Sequence, residues 1–385
     1  MSEARDVRVL QVRQPGEVTW VARRDGPLAD GCARLDTVAS GVSAGTELTF
    51  LKGTNPAARG YDARLGLFAP PSGEGPEPHP SAAPTAAAGG ALVDKLGYMQ
   101  VGLVVASRSP HLVEGSRVAA TYGHATGHDL DPRTERAVVL PPDLDPLLGV
   151  LVAHMGPICA NGLLHAAADL LGPAAAGPDL GAGVRGRRVL VTGAGVVGLL
   201  SALMAAHHGA LEVAVVDPTP SRRAAAEGLG LVAVDPGAVD VGTWAKERWS
   251  RGAGAAADDR GADVVLQCRG RDEALQQALR ALRPQGVVVD LAFYPGGAGA
   301  VRLGEELHHH GLRLVAAQIG RVPRGLAHAW DRERLSAATL DLLAARGDDV
   351  RRHLVTDVVP FDEAPELYAN LVARRRQVLQ AVLTP

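Results

Sequence analysis

Two periodicities divide this chain. Up to about residue 155 the apolar positions alternate with polar ones, as in Val7-Arg8-Val9-Leu10-Gln11-Val12 and Glu17-Val18-Thr19-Trp20-Val21, and Gly, Pro and Asp punctuate the rest. Alternation puts successive side chains on opposite faces, so this part reads as strands and turns. From Arg187 the pattern changes. Short apolar runs at Arg188–Thr192, Glu212–Asp217, Ala262–Cys268, Gly286–Ala292 and Arg313–Gln318 alternate with stretches of helical spacing such as Asp272–Arg283. Strands without alternation are buried on both faces, and alternating with helices they predict a parallel sheet covered on both sides. Asp331–Arg346 reads as a further helix, Val355–Val359 as a strand and Ala364–Arg376 as a closing helix. Val189–Ala206 is nearly long enough to span a bilayer. Gly193, Gly195 and Gly198 within it favour a strand followed by a helix. Gly60–Gly90 is rich in Pro and Ala, and its prolines deny it a regular ladder or helix. It reads as a long loop or a lid.

Composition removes several function classes. With 46% apolar and 21% charged residues, the 385-residue chain supports a folded core and does not read as disordered. A formal charge of −3 supplies no global field for nucleic acid or anionic lipid. Cys32, Cys159 and Cys268 are too few for a disulfide framework and lack zinc-knuckle spacing. The polar start Met1-Ser2-Glu3-Ala4-Arg5-Asp6 does not read as a signal peptide, so a cytoplasmic setting is expected.

The strongest chemical signal is Val189-Leu190-Val191-Thr192-Gly193-Ala194-Gly195-Val196-Val197-Gly198, a G-x-G-x-x-G run that ends one strand and opens a helix. Gly193 permits the tight turn, Gly195 lets the backbone approach a pyrophosphate, and Gly198 allows close helix–strand packing. The N–H groups at Val196 and Val197 and the positive helix end suit phosphates. The next apolar run closes on Asp217, whose carboxylate suits ribose hydroxyls and repels a 2′-phosphate. NAD is therefore expected, with NADP kept open by Arg222 and Arg223.

A dinucleotide fold begun near residue 185, behind a β-rich first half, resembles the medium-chain dehydrogenase/reductase family, the alcohol dehydrogenase superfamily. Ser40-Gly41-Val42-Ser43-Ala44-Gly45-Thr46-Glu47 resembles the segment carrying the family's catalytic zinc cysteine. Gly97-Tyr98-Met99-Gln100-Val101-Gly102 resembles its G-H-E-x-x-G segment, and Glu114-Gly115-Ser116-Arg117-Val118 its G-D-R-V turn. The first two are most similar to the bacteriochlorophyllide a dehydrogenase branch. The resemblance implies a GroES-like catalytic domain over 1–156, a Rossmann coenzyme domain over 157–319 and a return to the catalytic domain over 320–385. It also implies a homodimer, a cleft between the domains, and Ala292, Phe293 and Gln318 beside the nicotinamide.

The departures bear on mechanism. Ala44 stands at the family's zinc cysteine position, Tyr98 at its histidine, Met99 at the following glutamate and Met155 at the third ligand. Zinc takes thiolate, imidazole or carboxylate donors, so no zinc is expected. A relocated site at His124, His128 and His154 is the competing arrangement. Without a Lewis acid, preorganised donors must manage charge on the substrate oxygen. The resemblance assigns Thr46 to the hydroxyl that relays the alcohol proton and Glu47 to an acid that orients the histidine, here Tyr98. Tyr98 is the expected donor, followed by His154. The predicted function is a zinc-independent, NAD(P)-dependent oxidoreductase acting on a small-molecule alcohol, ketone or activated double bond. The alternative is a nucleotide-binding protein without net redox turnover.

Overall fold

The computed structural model describes residues 3–55, 61–62, 64–68, 92–171, 179–250 and 260–385. Contacts group the chain into two units, one of Met1–Val150 with Thr356–Pro385 and one of Leu151–Val355. The divisions fall at 150 and 355, where the sequence reading put them at 156 and 320. The late crossing has a physical cause. The helix Arg332–His353, capped by Asp331 on the Arg334 N–H, packs against the helix Met155–Leu171 and keeps the segment in the second unit. The periodicity expected this helix to end at Arg346. There it breaks locally (φ −134°, ψ 18°) and then continues for two further turns.

The first unit is β-rich, as the alternation predicts. Arg5–Gln14 and Glu17–Asp25 form an antiparallel pair with Leu10 opposite Trp20. A seven-stranded sheet runs in the order Val355–Pro360, Gln380–Thr384, Ala33–Val42, Gln100–Ser107, Arg117–Ala120 and Ala137–Val139. Its seventh strand, Gly127–Leu130, pairs antiparallel with Ala33–Asp36. The Gly-rich stretch before it ends in this strand because tertiary pairing supplies the ladder partner. The C-terminal helix Ala364–Val372 buries Leu367, Tyr368 and Leu371 in a core with Leu10, Val42, Leu51 and Leu383. Most of the Gly60–Gly90 insertion lies outside the described residues. Its described part corrects the expectation of no ladder, because Tyr61–Asp62 pairs antiparallel with Leu67–Phe68.

The second unit holds a six-stranded sheet. Its order is Val232–Val234, Glu212–Val216, Arg188–Thr192, Ala262–Gln267, Leu282–Asp290 and Arg313–Ala316, with every neighbouring pair parallel. Taken in chain sequence this is 3-2-1-4-5-6, the doubly wound order whose switch point lies beside the first strand. The inner strands are largely buried, Ala262–Gln267 along its whole length, whereas the edge strand Arg313–Ala316 is mostly exposed. On one flank Leu190, Val265, Val288, Trp249, Leu275 and Leu279 form a single core. His308 and His309 lie exposed on a helical turn after Leu303–Leu307, and His310 is half-buried. No described helix is long and apolar enough to cross a membrane.

Leu279 is completely buried in this core. Leu279→Ala should lower stability by about 2–5 kcal/mol, the cost of lost burial plus a cavity, as measured by denaturant unfolding. A change below half a kilocalorie would contradict this packing.

Candidate active site

The glycine-rich turn closes tightly at the switch point. Gly193 has φ +97°, a conformation that favours glycine, and a Cβ on Gly198 would lie 1.7 Å from the Gly193 carbonyl oxygen. Gly195 occupies the N-cap of the helix Val196–His207 and offers no side-chain cap, so the first-turn N–H groups depend on other acceptors. Asp217 is buried just beyond Val216. Its Oδ2 accepts the Ala194 N–H at 2.9 Å and its Oδ1 the Thr219 N–H at 2.8 Å. The carboxylate therefore ties the glycine turn to the second strand while keeping lone pairs in reserve. Arg222 approaches Asp217 at 3.7 Å and is partly exposed, whereas Arg223 is committed to Asp235 at 2.7 Å.

Because all six strands are parallel, Gly193–Gly198, Asp217, Ala292, Phe293 and Gln318 all follow strand carboxyl ends and share one edge of the sheet. Asp290 accepts the Ala292 N–H at 3.0 Å and the Tyr294 hydroxyl at 2.9 Å. Phe293 and Gln318 are exposed, and the Gln318 carbonyl accepts from Asn161 Nδ2 at 3.3 Å.

The first unit gathers hydroxyls. Tyr98 Oη lies 2.5 Å from Ser43 Oγ and 3.5 Å from Thr46 Oγ1. Burial pushes the Tyr98 phenol above its ordinary pKa, so it holds its proton at neutral pH. Ser43 is the N-cap of the helix Ala44–Leu51 yet makes no side-chain cap bond. An N-cap serine normally accepts a first-turn N–H, worth about 1 kcal/mol. Here the hydroxyl goes to Tyr98 instead, a local rule broken in favour of the site.

Behind these hydroxyls lies a buried polar cluster. Glu47 Oε1 accepts the Ser43 N–H at 2.9 Å, and Oε2 accepts the Tyr368 hydroxyl and lies 3.2 Å from His124 Nε2. Tyr368 Oη is also 2.9 Å from His124 Nε2, and Ser40 Oγ is 2.7 Å from His124 Nδ1. Glu47 was expected to orient Tyr98 directly. Its link to Tyr98 runs through Ser43, and its carboxylate is held by His124 and Tyr368. Sequence reasoning missed Ser43 and Tyr368 and met His124 only as a metal candidate. Ser43 carried one signal, a hydroxyl immediately before the vacated cysteine position. Tyr368 carried none, since it lies on the apolar face of a distant helix.

The donor set at the family's zinc positions does not fit zinc. Ala44 has no donor atom, the Tyr98 phenol stays protonated, and Met99 and Met155 are buried thioethers. The histidines of the relocated arrangement have other partners. His124 is engaged as above. His128 stacks on Tyr122 at 3.7 Å, lies 3.3 Å from Glu135 Oε2, and burial lowers its pKa. His154, in the second unit, receives Arg332 Nη2 on its Nδ1 at 2.7 Å. A guanidinium only donates, so Nδ1 is the acceptor and the ring proton sits on Nε2.

Residues 196–332 match the profile of the zinc-binding dehydrogenase family. That match lies within the second unit and covers less than half of the chain. D-guloside 3-dehydrogenase of Escherichia coli K12 is 31% identical over 185 residues, 48% of this chain and 50% of that protein. L-threonine 3-dehydrogenase of Pyrococcus horikoshii is 38% identical over 114 residues, 29% of this chain and 30% of that protein. The chain thus spans about half the length of the first of these relatives and less than a third of the second. Across its whole length the chain shares its fold with solved dehydrogenases. L-idonate 5-dehydrogenase of E. coli aligns over 100% of both chains with TM-score 0.69 at 17% identity. A Sinorhizobium meliloti protein solved with NADP aligns over 99% of this chain and 100% of its own with TM-score 0.67 at 20% identity.

Two outcomes follow from this geometry. Gly198→Ala should cost about 1–3 kcal/mol, because the methyl must push the turn aside; an unchanged Tm would contradict the close approach. The Tyr98 and Tyr368 phenols are both raised by burial. For such groups the folded state keeps a proton that the unfolded state loses, so stability is fully present below the ordinary tyrosine pKa of about 10 and declines as pH rises through the folded values. Denaturant midpoints should fall above that pH, and less steeply in Tyr368→Phe. A parallel decline in the variant would contradict the assignment.

Proposed function

We propose that this protein is a zinc-independent, nicotinamide-dependent oxidoreductase acting on a small-molecule alcohol, ketone or activated double bond. The observation that carries this reading is the six-stranded parallel sheet in 3-2-1-4-5-6 order with the Gly193–Gly198 turn at its switch point. The turn's N–H groups bind the pyrophosphate. Asp217 favours the ribose diol of NAD, with the partly exposed Arg222 keeping NADP within reach. Bound nicotinamide supplies or accepts the hydride. The protein manages the charge on the substrate oxygen. The Tyr98 hydroxyl donates its proton as negative charge develops there, and Ser43 and Thr46 stabilise the resulting phenolate. The proposal assigns the catalytic role to the unit of Met1–Val150 with Thr356–Pro385. It also includes a homodimer formed through the edge strand Arg313–Ala316, where Leu314 is exposed, in a cytoplasmic setting suited to the free thiols of Cys32, Cys159 and Cys268.

The test is absorbance at 340 nm with NADH and NADPH against a panel of ketones, sugar derivatives and activated alkenes, together with elemental analysis of the same untagged protein. Turnover without stoichiometric zinc is expected. Tyr98→Phe should then lower kcat by about 10²–10⁴, the usual worth of a positioned proton donor. One tightly held zinc per chain would overturn the zinc-free mechanism. A bound nucleotide that is never exchanged or consumed would replace the oxidoreductase reading with a nucleotide-binding role.

A further inference from the structure

The Glu47–His124–Tyr368 cluster has no place in the donor chemistry above, and its burial makes it costly. Glu47, His124 and Tyr368 are at most 1% exposed. Burying a carboxylate costs several kcal/mol unless donors surround it. Here the donors are complete. The Ser43 N–H reaches Oε1, and the Tyr368 O–H and His124 Nε2–H serve Oε2, while the Ser40 O–H satisfies His124 Nδ1. Every polar side chain in the cluster thus has a partner within hydrogen-bond distance.

The cluster touches both ends of the Ser43–Tyr98 hydrogen bond. Glu47 holds the Ser43 backbone, and with it the start of the helix Ala44–Leu51. His124 lies against the other end. Gly97, which directly precedes Tyr98, has φ +92°, and a Cβ there would sit 2.6 Å from His124 Nε2. The His124 backbone N–H also donates to the Leu96 carbonyl at 2.7 Å. We infer that His124 and Tyr368 are positioning residues, which through Glu47 and Gly97 fix the Ser43–Tyr98 hydroxyl pair in one geometry from a rigid buried base. Ser40 is the outermost member of the same base. The inference deepens the proposed role of Tyr98 and rests on it for catalytic meaning, but the geometric claim stands in the resting protein.

The experiment therefore reads Tyr98 without substrate. The chain contains only five tyrosines, so labelling with [13Cζ]-tyrosine gives a countable NMR spectrum in which Tyr98→Phe assigns the Tyr98 resonance. Ser43→Ala calibrates the shift that follows loss of the hydroxyl partner. Tyr368→Phe and Ser40→Ala each remove one buried hydroxyl, and Ser40→Ala serves if Tyr368→Phe unfolds. Both should move or broaden the Tyr98 resonance in the direction set by Ser43→Ala, with cooperative unfolding retained. A Tyr98 resonance unchanged in the folded variants, while Ser43→Ala shifts it, would overturn the inference and assign the cluster to packing alone. Where the absorbance panel yields a substrate, Tyr368→Phe should lower kcat by up to about a hundredfold with KM little changed, the scale of a misplacement near 1 Å. Absence of turnover in the parent protein would remove the oxidoreductase reading and leave the NMR result to decide the positioning claim.

Discussion

A carboxylate with almost no access to solvent organises the first unit. Glu47 belongs to a short helix whose N-cap hydroxyl has been diverted to Tyr98, and its own charge must be met by donors from elsewhere in the chain. These come from Ser43 beside it, from His124 after the central strands, and from Tyr368 on the C-terminal helix. Three segments far apart in sequence thus have to be correctly folded before one buried charge is satisfied. An unpaired charge here would cost more than most single contacts in the unit contribute, so the cluster acts as a constraint on the whole β-rich core.

The second unit is organised by a different constraint, the close approach of backbone to backbone at the sheet's switch point. The Gly193 carbonyl occupies the space a Gly198 side chain would need, and Asp217 clasps the turn through the Ala194 N–H. A helix that starts uncapped on such a turn presents its N–H groups and its positive end to the strand carboxyl edge. The same edge carries Ala292, Phe293 and Gln318, because parallel pairing sends every strand end the same way.

The two units illustrate how differently a sequence exposes its own structure. The parallel sheet was legible almost strand by strand, since continuous β-branched runs between helical stretches have few other folds open to them. Its predicted ends overshoot by one or two residues, at Asp217, Cys268, Ala292 and Gln318, where residues leave the ladder at the carboxyl edge of the sheet. The helix after Asp331 was expected to stop at Arg346, before Gly347. The chain distorts there but continues, because Val350 and Leu354 have a core to enter. Of the hydroxyls that the fold gathers, Tyr98 and Thr46 stood out through the motif segments they occupy, and Ser43 was passed over although it adjoins them.

Local residue order therefore determined the glycine-rich turn, the alternation of strands and helices, and the absence of thiolate, imidazole and carboxylate donors at Ala44, Tyr98 and Met155. Each is a property of neighbours in the chain, of spacing or of side-chain chemistry alone. Tertiary structure decided what takes their place. Only folding brings Tyr368 and His124 onto Glu47, turns Gly127–Leu130 into a strand against Ala33–Asp36, and gives Arg332 to His154. Those contacts join residues far apart along the chain, and the favourable pairing of buried polar groups that selects them leaves no periodic mark on the sequence.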